Sequence, residues 1–236
     1  MNITRIAYYN MLGLVLLLSW WWPHLPLWTT LDDDVFWLFN RTLSIADHPL
    51  WTTLVAIFNN RGFDAVSFLI LAAIFTWAVR RDPRPQRLQR WIAIGLTMLI
   101  TAGLVSLLVN KLVTYGHPSP TLTHAGVHLL SQEVPFATKD ASGNSFPGDH
   151  GLMLMTFAAF MWHFAGRRVG LVSVAAVIVL SAPRIIGGGH WFSDVYMGAL
   201  AIALLTLPWV LCTACAARLS ERLQHGLARL MSRLDH

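Results

Sequence analysis

Long apolar stretches separated by short polar breaks dominate the chain, and six of them, at about 7–22, 63–79, 91–113, 149–165, 169–187 and 192–212, approach the ~20 residues that a bilayer crossing needs. The first ends in Trp20, Trp21, Trp22 and Pro23 with no small-residue cleavage site behind it, so it reads as a retained span rather than a leader. Two polar excursions, 23–62 and 114–148, interrupt the series, and the other connections are short enough for one bundle. Without an internal repeat or a low-complexity linker, residues 1–236 read as one membrane-embedded domain of the all-α class, a six-helix transmembrane bundle. Within the first excursion, Trp28, Trp37 and Trp51 suit an element lying in the membrane interface, and the run Asp32, Asp33, Asp34 reads as a solvated helix start. From 217 to 236 the leucines at 219, 223, 227, 230 and 234 alternate with arginines, which predicts an amphipathic helix on the cytoplasmic surface.

Composition agrees, because 55% hydrophobic and only 12% charged residues in a chain of 236 do not make a soluble domain. Charge then sets an orientation. With the N-terminus inside, six crossings put Arg5, Arg80, Arg81, Arg84, Arg87, Arg90, Arg167, Arg168, Arg218, Arg222, Arg229 and Arg233 in the cytoplasm, together with the C-terminus. Only Arg41, Arg61, Lys111, Lys139 and Arg184 remain for the outer face, where both excursions also fall. The net charge of +5 is thus a positive-inside signal with affinity for anionic headgroups, and no nucleic-acid partner is implied. Cys212 and Cys215 form a lone C-x-x-C at the end of a span and read as small buried residues.

Polar residues near the outer end of the spans are functional candidates by default. In Ser145-Phe146-Pro147-Gly148-Asp149-His150, Pro147 suits the first turn of the fourth span, so His150 sits where free N–H groups and the helix dipole favour an anion. A histidine there can protonate a departing phosphate ester oxygen. The second motif is Pro183-Arg184-Ile185-Ile186-Gly187-Gly188-Gly189-His190-Trp191-Phe192-Ser193-Asp194. His190 and Asp194 stand four apart on one helix face, so the carboxylate can accept from one imidazole nitrogen while the other attacks. Arg184 offers a planar fork to phosphoryl oxygens, and the glycines let the backbone approach a ligand.

These two motifs resemble the type 2 phosphatidic acid phosphatase superfamily, whose members carry Lys/Arg-Pro, Pro-Ser-Gly-His and Ser-Arg-x5-His-x3-Asp. The resemblance implies that His190 becomes phosphorylated, Asp194 orients it, His150 protonates the leaving group and Arg184 holds the phosphoryl oxygens, with no cofactor and no metal. Gly148 and Asp149 replace the family's Ser-Gly, and Pro183 stands for its serine. The first motif is degenerate: Lys111 precedes Tyr115-Gly116-His117-Pro118 with no arginine before proline, and Lys139 is the other external lysine. Arg184, Lys111 and Lys139, with Gly148 and Asp149 at the same turn, make up the expected phosphate-binding set.

Ser119–Thr123, Thr138–Ser142, Ser145–Gly151, Asn59-Asn60-Arg61 and Pro208–Leu211 look like one branch of that superfamily. Its members move the terminal phosphoryl group of undecaprenyl diphosphate to the 1-phosphate of lipid A, in lipopolysaccharide, at the periplasmic face of the inner membrane. The resemblance implies the same donor, acceptor and location here; a second anionic lipid beside the phosphorylated site needs further cations, which makes Arg61, with His117, an acceptor-site candidate. Residue chemistry alone leaves other readings open. One is a phosphatase acting on undecaprenyl diphosphate or phosphatidate with water as acceptor. Another is a metal-dependent hydrolase using His150, His190, Asp149 and Asp194 as ligands, and a third is a lipid-binding or transport protein.

Overall fold

The computed structural model describes residues 1–22 and 24–234, and side chains as far as residue 230. Pro23, the side chain of Leu234 and residues 235–236, to which parts of the span and tail assignments above extend, lie outside the described residues. The described chain is helical without strands. Its elements are α1 (Ile3–Trp21), α2 (Leu27–Asn40), α3 (Pro49–Phe58), α4 (Gly62–Arg81), α5 (Arg87–Leu112), the single turns α6 (Pro120–Thr123) and α7 (Leu130–Glu133), α8 (Asp149–Ala165), α9 (Arg167–Ile186), α10 (Leu200–Leu211) and α11 (Cys215–Leu234). A π-helical turn, Asp194–Ala199, runs straight into α10.

Five helices are long and apolar enough to cross a membrane: α1, α4, α5, α9 and the continuous helix Asp194–Leu211. That makes the protein an integral, multi-pass membrane protein. The stretch expected to be the remaining crossing, 149–165, forms α8, whose 17 residues extend about 25 Å at 1.5 Å per residue. α8 is the inner member of the bundle, with Leu152, Leu154, Phe157, Phe160 and Met161 all buried. They pack with Trp91 and Ile94 of α5 and Val177 and Leu180 of α9 in one apolar core. Outward-facing positions of α4, α5 and α9 are also apolar, as with Leu69, Leu104, Leu107 and Val179, each 58–65% exposed. A bundle that is apolar inside and out is what a hydrocarbon solvent permits.

The bundle has two unlike ends. At one end the backbone N–H of Asn2 donates to the Cys212 carbonyl at 2.9 Å, α4 stops at Arg80 and Arg81, and α5 and α9 begin at Arg87 and Arg167. Here α11 packs on α5, with Ala216 and Ser220 buried and the Ser220 and Thr97 hydroxyls 2.9 Å apart. The amphipathic tail thus docks its small residues on a neighbouring helix, beside the leucines that the spacing singled out. Cys215 opens α11 in an exposed position and Cys212 is half-buried, so the apolar burial expected for the pair holds only in part.

At the opposite end, α1 finishes, α4 starts, α5 finishes, α8 starts, α9 finishes and the π turn starts, under a cap made of α2, α3, α6 and α7. The run Asp32–Asp34 does not open a helix. It lies in the middle of α2, where successive residues point about 100° apart. Asp32, Phe36 and Asn40, at i, i+4 and i+8, make up the buried stripe, whereas Asp33 faces outward to the His124 ring, 3.1 Å away.

Candidate active site

Local backbone chemistry places the histidines. Pro183 lies inside α9, and its carbonyl accepts from the Gly187 N–H at 2.9 Å and from Asn59 Nδ2 at 2.6 Å. The glycine turn then folds back, so that the Arg184 carbonyl accepts from the N–H groups of both Gly189 and His190, at 3.0 and 3.1 Å. This puts His190 directly beside the helix end that carries Arg184. Gly188 takes φ +75°, a left-handed conformation that favours glycine. Gly189 is required for a different reason: a Cβ there would stand 2.6 Å from the Lys139 carbonyl oxygen. The neighbouring Lys139 segment of this wall is held by its own N–H, which donates to the Asn59 carbonyl at 2.8 Å. Asn59 therefore ties α3, α9 and the Lys139 segment together.

On the other side, Ser119 and Ser142 pair through the backbone at 2.9 Å, and Ser145 donates its N–H to the His117 carbonyl at 2.7 Å. These bonds lock the start of α8 against the loop after α5. Between the walls lies a cavity of about 880 Å³, lined among others by Arg61, Lys139, Gly148, Asp149, His150, Arg184 and His190. Lys111 sits on the exposed outer face of the last turn of α5 and is absent from this lining, to which its neighbours Val109 and Asn110 contribute.

The nearest acceptor to His190 Nδ1 is the Ser145 carbonyl oxygen at 3.0 Å, with Asp194 Oδ2 behind it at 3.5 Å. A carbonyl cannot donate, so Nδ1 carries the proton and Nε2 keeps its lone pair for chemistry. Asp194 is fully buried. Its Oδ2 accepts from the Trp191 N–H at 2.8 Å and its Oδ1 lies 3.0 Å from His117 Nδ1. His117 is thus a partner of the carboxylate, standing behind His190 with its ring stacked on Trp191 at 5.7 Å, and it does not line the cavity. The π turn that begins at Asp194 widens the helix where this network is seated, a placement common at functional sites.

Asp64, in the first turn of α4, escaped the sequence reading. Its Oδ1 lies 3.3 Å from Arg184 Nη2, and its Oδ2 accepts from Lys139 Nζ. One carboxylate thus spans the two cations, as a phosphoryl group would. The signal was an acid three residues after Arg61, at a helix start, which alone reads as ordinary dipole compensation. His150, on the first turn of α8, lines the same cavity as His190, Arg184 and Lys139. Among the described residues no three His, Cys, Asp or Glu side chains converge so as to hold a metal ion.

Two carboxylate-backed histidine and arginine groups facing one polar cavity can accept, hold and release a phosphoryl group, and the comparisons point the same way. Residues 90–217 match the PAP2 superfamily. Over 219 residues, 92% of this chain and 91% of the relative, the sequence is 40% identical to the lipid A 1-diphosphate synthase of Escherichia coli (strain K12). It is 29% identical over 199 residues, 82% of this chain and 89% of the relative, to YbjG of the same strain, described as a candidate undecaprenyl-diphosphatase. No solved structure is significantly similar. With that match and that identity along nearly its whole length, the chain belongs to the PAP2 superfamily and is an enzyme of the phosphatase and phosphotransferase type.

Proposed function

We propose that this enzyme transfers the terminal phosphoryl group of undecaprenyl diphosphate to the 1-phosphate of lipid A, giving undecaprenyl phosphate and lipid A 1-diphosphate by way of a phosphohistidine at His190. The observation that carries the chemistry is the Ser145 carbonyl 3.0 Å from His190 Nδ1: a proton held there leaves Nε2 as the ring nitrogen with a lone pair, on a side chain that lines the same cavity as Arg184, Lys139 and His150. Nε2 attacks the distal phosphorus, the bond to the bridging oxygen breaks, and His150 gives its proton to the departing lipid monophosphate. Asp194, 3.5 Å from Nδ1, stabilises the positive charge that develops on the ring. An oxygen of the acceptor's 1-phosphate then attacks the same phosphorus, the N–P bond breaks, and His150 recovers a proton from the acceptor. Catalysis is mainly positioning and charge neutralisation by Arg184 and Lys139. Arg61, on the cavity rim, is the cation available to a second anionic lipid.

The choice of donor and acceptor rests on the 40% identity to a lipid A 1-diphosphate synthase. A periplasmic site with both termini in the cytoplasm is supported by the segregation of arginines at the end opposite the cavity; α8 then completes a sixth crossing, and 1–236 is one domain. The test is to follow label from undecaprenyl diphosphate through detergent-purified protein, with and without lipid A. Label on lipid A that requires His190 and His150 supports transfer. Free phosphate released at one rate regardless of lipid A makes the enzyme a hydrolase, the activity named for YbjG, and overturns the acceptor assignment.

A further inference from the structure

The geometry points to α2 as a clamp on the catalytic turn, with Asp32 as a positioning residue that sets His190 and Asp194 through Ser193. The inference rests on His190 being the nucleophile. All three residues of the buried stripe of α2 grip the cap around that turn. Asp32 Oδ1 accepts from the Ser193 N–H at 2.7 Å, and its Oδ2 accepts from the Ser193 hydroxyl at 2.6 Å. Phe36 packs over Gly188, where an added Cβ would meet its ring at 3.0 Å, and against Trp191, 6.4 Å between ring centroids. Asn40 closes the far end by donating to the His128 carbonyl at 2.9 Å and accepting from the His128 N–H at 3.1 Å. Gly188, Trp191 and Ser193 bracket His190 on both sides, so a shift of α2 is a shift of the nucleophile.

A carboxylate is the costly choice for a purely mechanical tie. Asp32 is 6% exposed and Ser193 fully buried, and a neutral amide could engage Ser193 without desolvating a charge, though its one oxygen would take only one of the two donors. Burial pushes the Asp32 carboxyl up to about 6, against the pull of its two Ser193 hydrogen bonds, with buried Asp194 adding to the rise and His117 opposing it. Asp33, the next acid on α2, is paired with His124 on its outer side. Because the folded value is raised, the stability contribution is fully present below the ordinary value of 3.8 and is lost as pH rises toward 6. The ionised clamp therefore costs stability at neutral pH, and what it supplies there is orientation: as a carboxylate it takes both Ser193 donors, and as an acid it takes one.

The test compares wild type, Asp32→Asn, Asp32→Ala and His190→Ala for kcat, KM and thermal unfolding between pH 5 and 7.5, with labelled undecaprenyl diphosphate as substrate. The ratio of wild-type to Asp32→Asn kcat is expected to rise from about one at pH 5 to about tenfold at pH 7.5. KM should stay within about threefold, and at pH 7.5 the variant should unfold no earlier than wild type. Asp32→Ala, which strands both Ser193 donors, is expected to lose more kcat at every pH. A ratio that is flat across pH, or a loss explained by the unfolded fraction, overturns the positioning role. Full turnover by His190→Ala removes the nucleophile on which the inference stands, and is read separately from any effect at Asp32.

Discussion

Each end of the bundle holds a carboxylate in its grip, and the two differ in what surrounds it. In the turn between α4 and α5, Asp82 Oδ2 accepts from Arg90 Nη1 at 2.5 Å and from the Trp91 indole N–H at 3.0 Å, and Oδ1 accepts from the Arg84 N–H at 3.1 Å. Against the cost of burial, these donors hold the carboxyl below its usual range. Its partners tie the α4–α5 turn to the start of α5. At the other end Asp194 is also buried, but its side-chain partners are the rings of His117 and His190, and an 880 Å³ cavity opens beside His190. Asp64 goes further: it spans Arg184 and Lys139 while 44% of its own side chain stays exposed, so that a ligand can compete for the pair. On the proposed mechanism, Arg and Asp serve as scaffold at one end and as machinery at the other. The deciding feature is whether the pair has exchangeable partners facing open volume.

The comparison is sharpened most by Arg184→Lys. A point charge cannot reproduce the planar fork, and turnover is expected to drop about 10²- to 10³-fold with the fold intact. A loss under about fivefold would place Arg184 with the scaffold arginines. Next in size is Asp64→Asn. Removing the internal competitor for Lys139 and Arg184 should lower KM for the diphosphate donor about three- to tenfold, since the two cations become free to bind its phosphate. A rise in KM would show that Asp64 aligns the cations and is not displaced by the ligand. The smallest effect on rate belongs to Asp82→Asn: turnover per folded molecule should be unchanged, while stability falls by about 1–3 kcal/mol. Asp82 has a lowered value, so the stability it contributes is present above the ordinary carboxylate range and is lost as pH falls through the folded value. The destabilisation of Asp82→Asn should accordingly shrink in acid, as read by unfolding at two pH values.

Periodicity and charge made the long helices legible, because a bilayer demands long apolar runs and segregates arginine. The two histidine motifs were legible because Arg184, the glycines, His190 and Asp194 are neighbours in the chain. What escaped was assembled across distance. Asp64 joins Arg184 from 120 positions away, and Asp32 joins Ser193 from 161. His117 was marked as facing the acceptor, yet it holds Asp194, because the 117–119 and 142–145 segments pair and turn its ring inward. Of the two lysines expected on the outer side, only Lys139 reaches the cavity, where the Asn59 carbonyl holds its backbone N–H. Lys111 ends a helix whose outer face it shares with Leu107, Leu108 and Leu112.

Trapping the intermediate decides whether His190 is the atom through which the phosphoryl group passes. Protein quenched in base during turnover of donor labelled in its terminal phosphate is expected to carry acid-labile label that maps to His190, persists in Asp82→Asn and disappears in His190→Ala. Label reaching product at the wild-type rate from His190→Ala, with none ever bound to protein, would contradict the account.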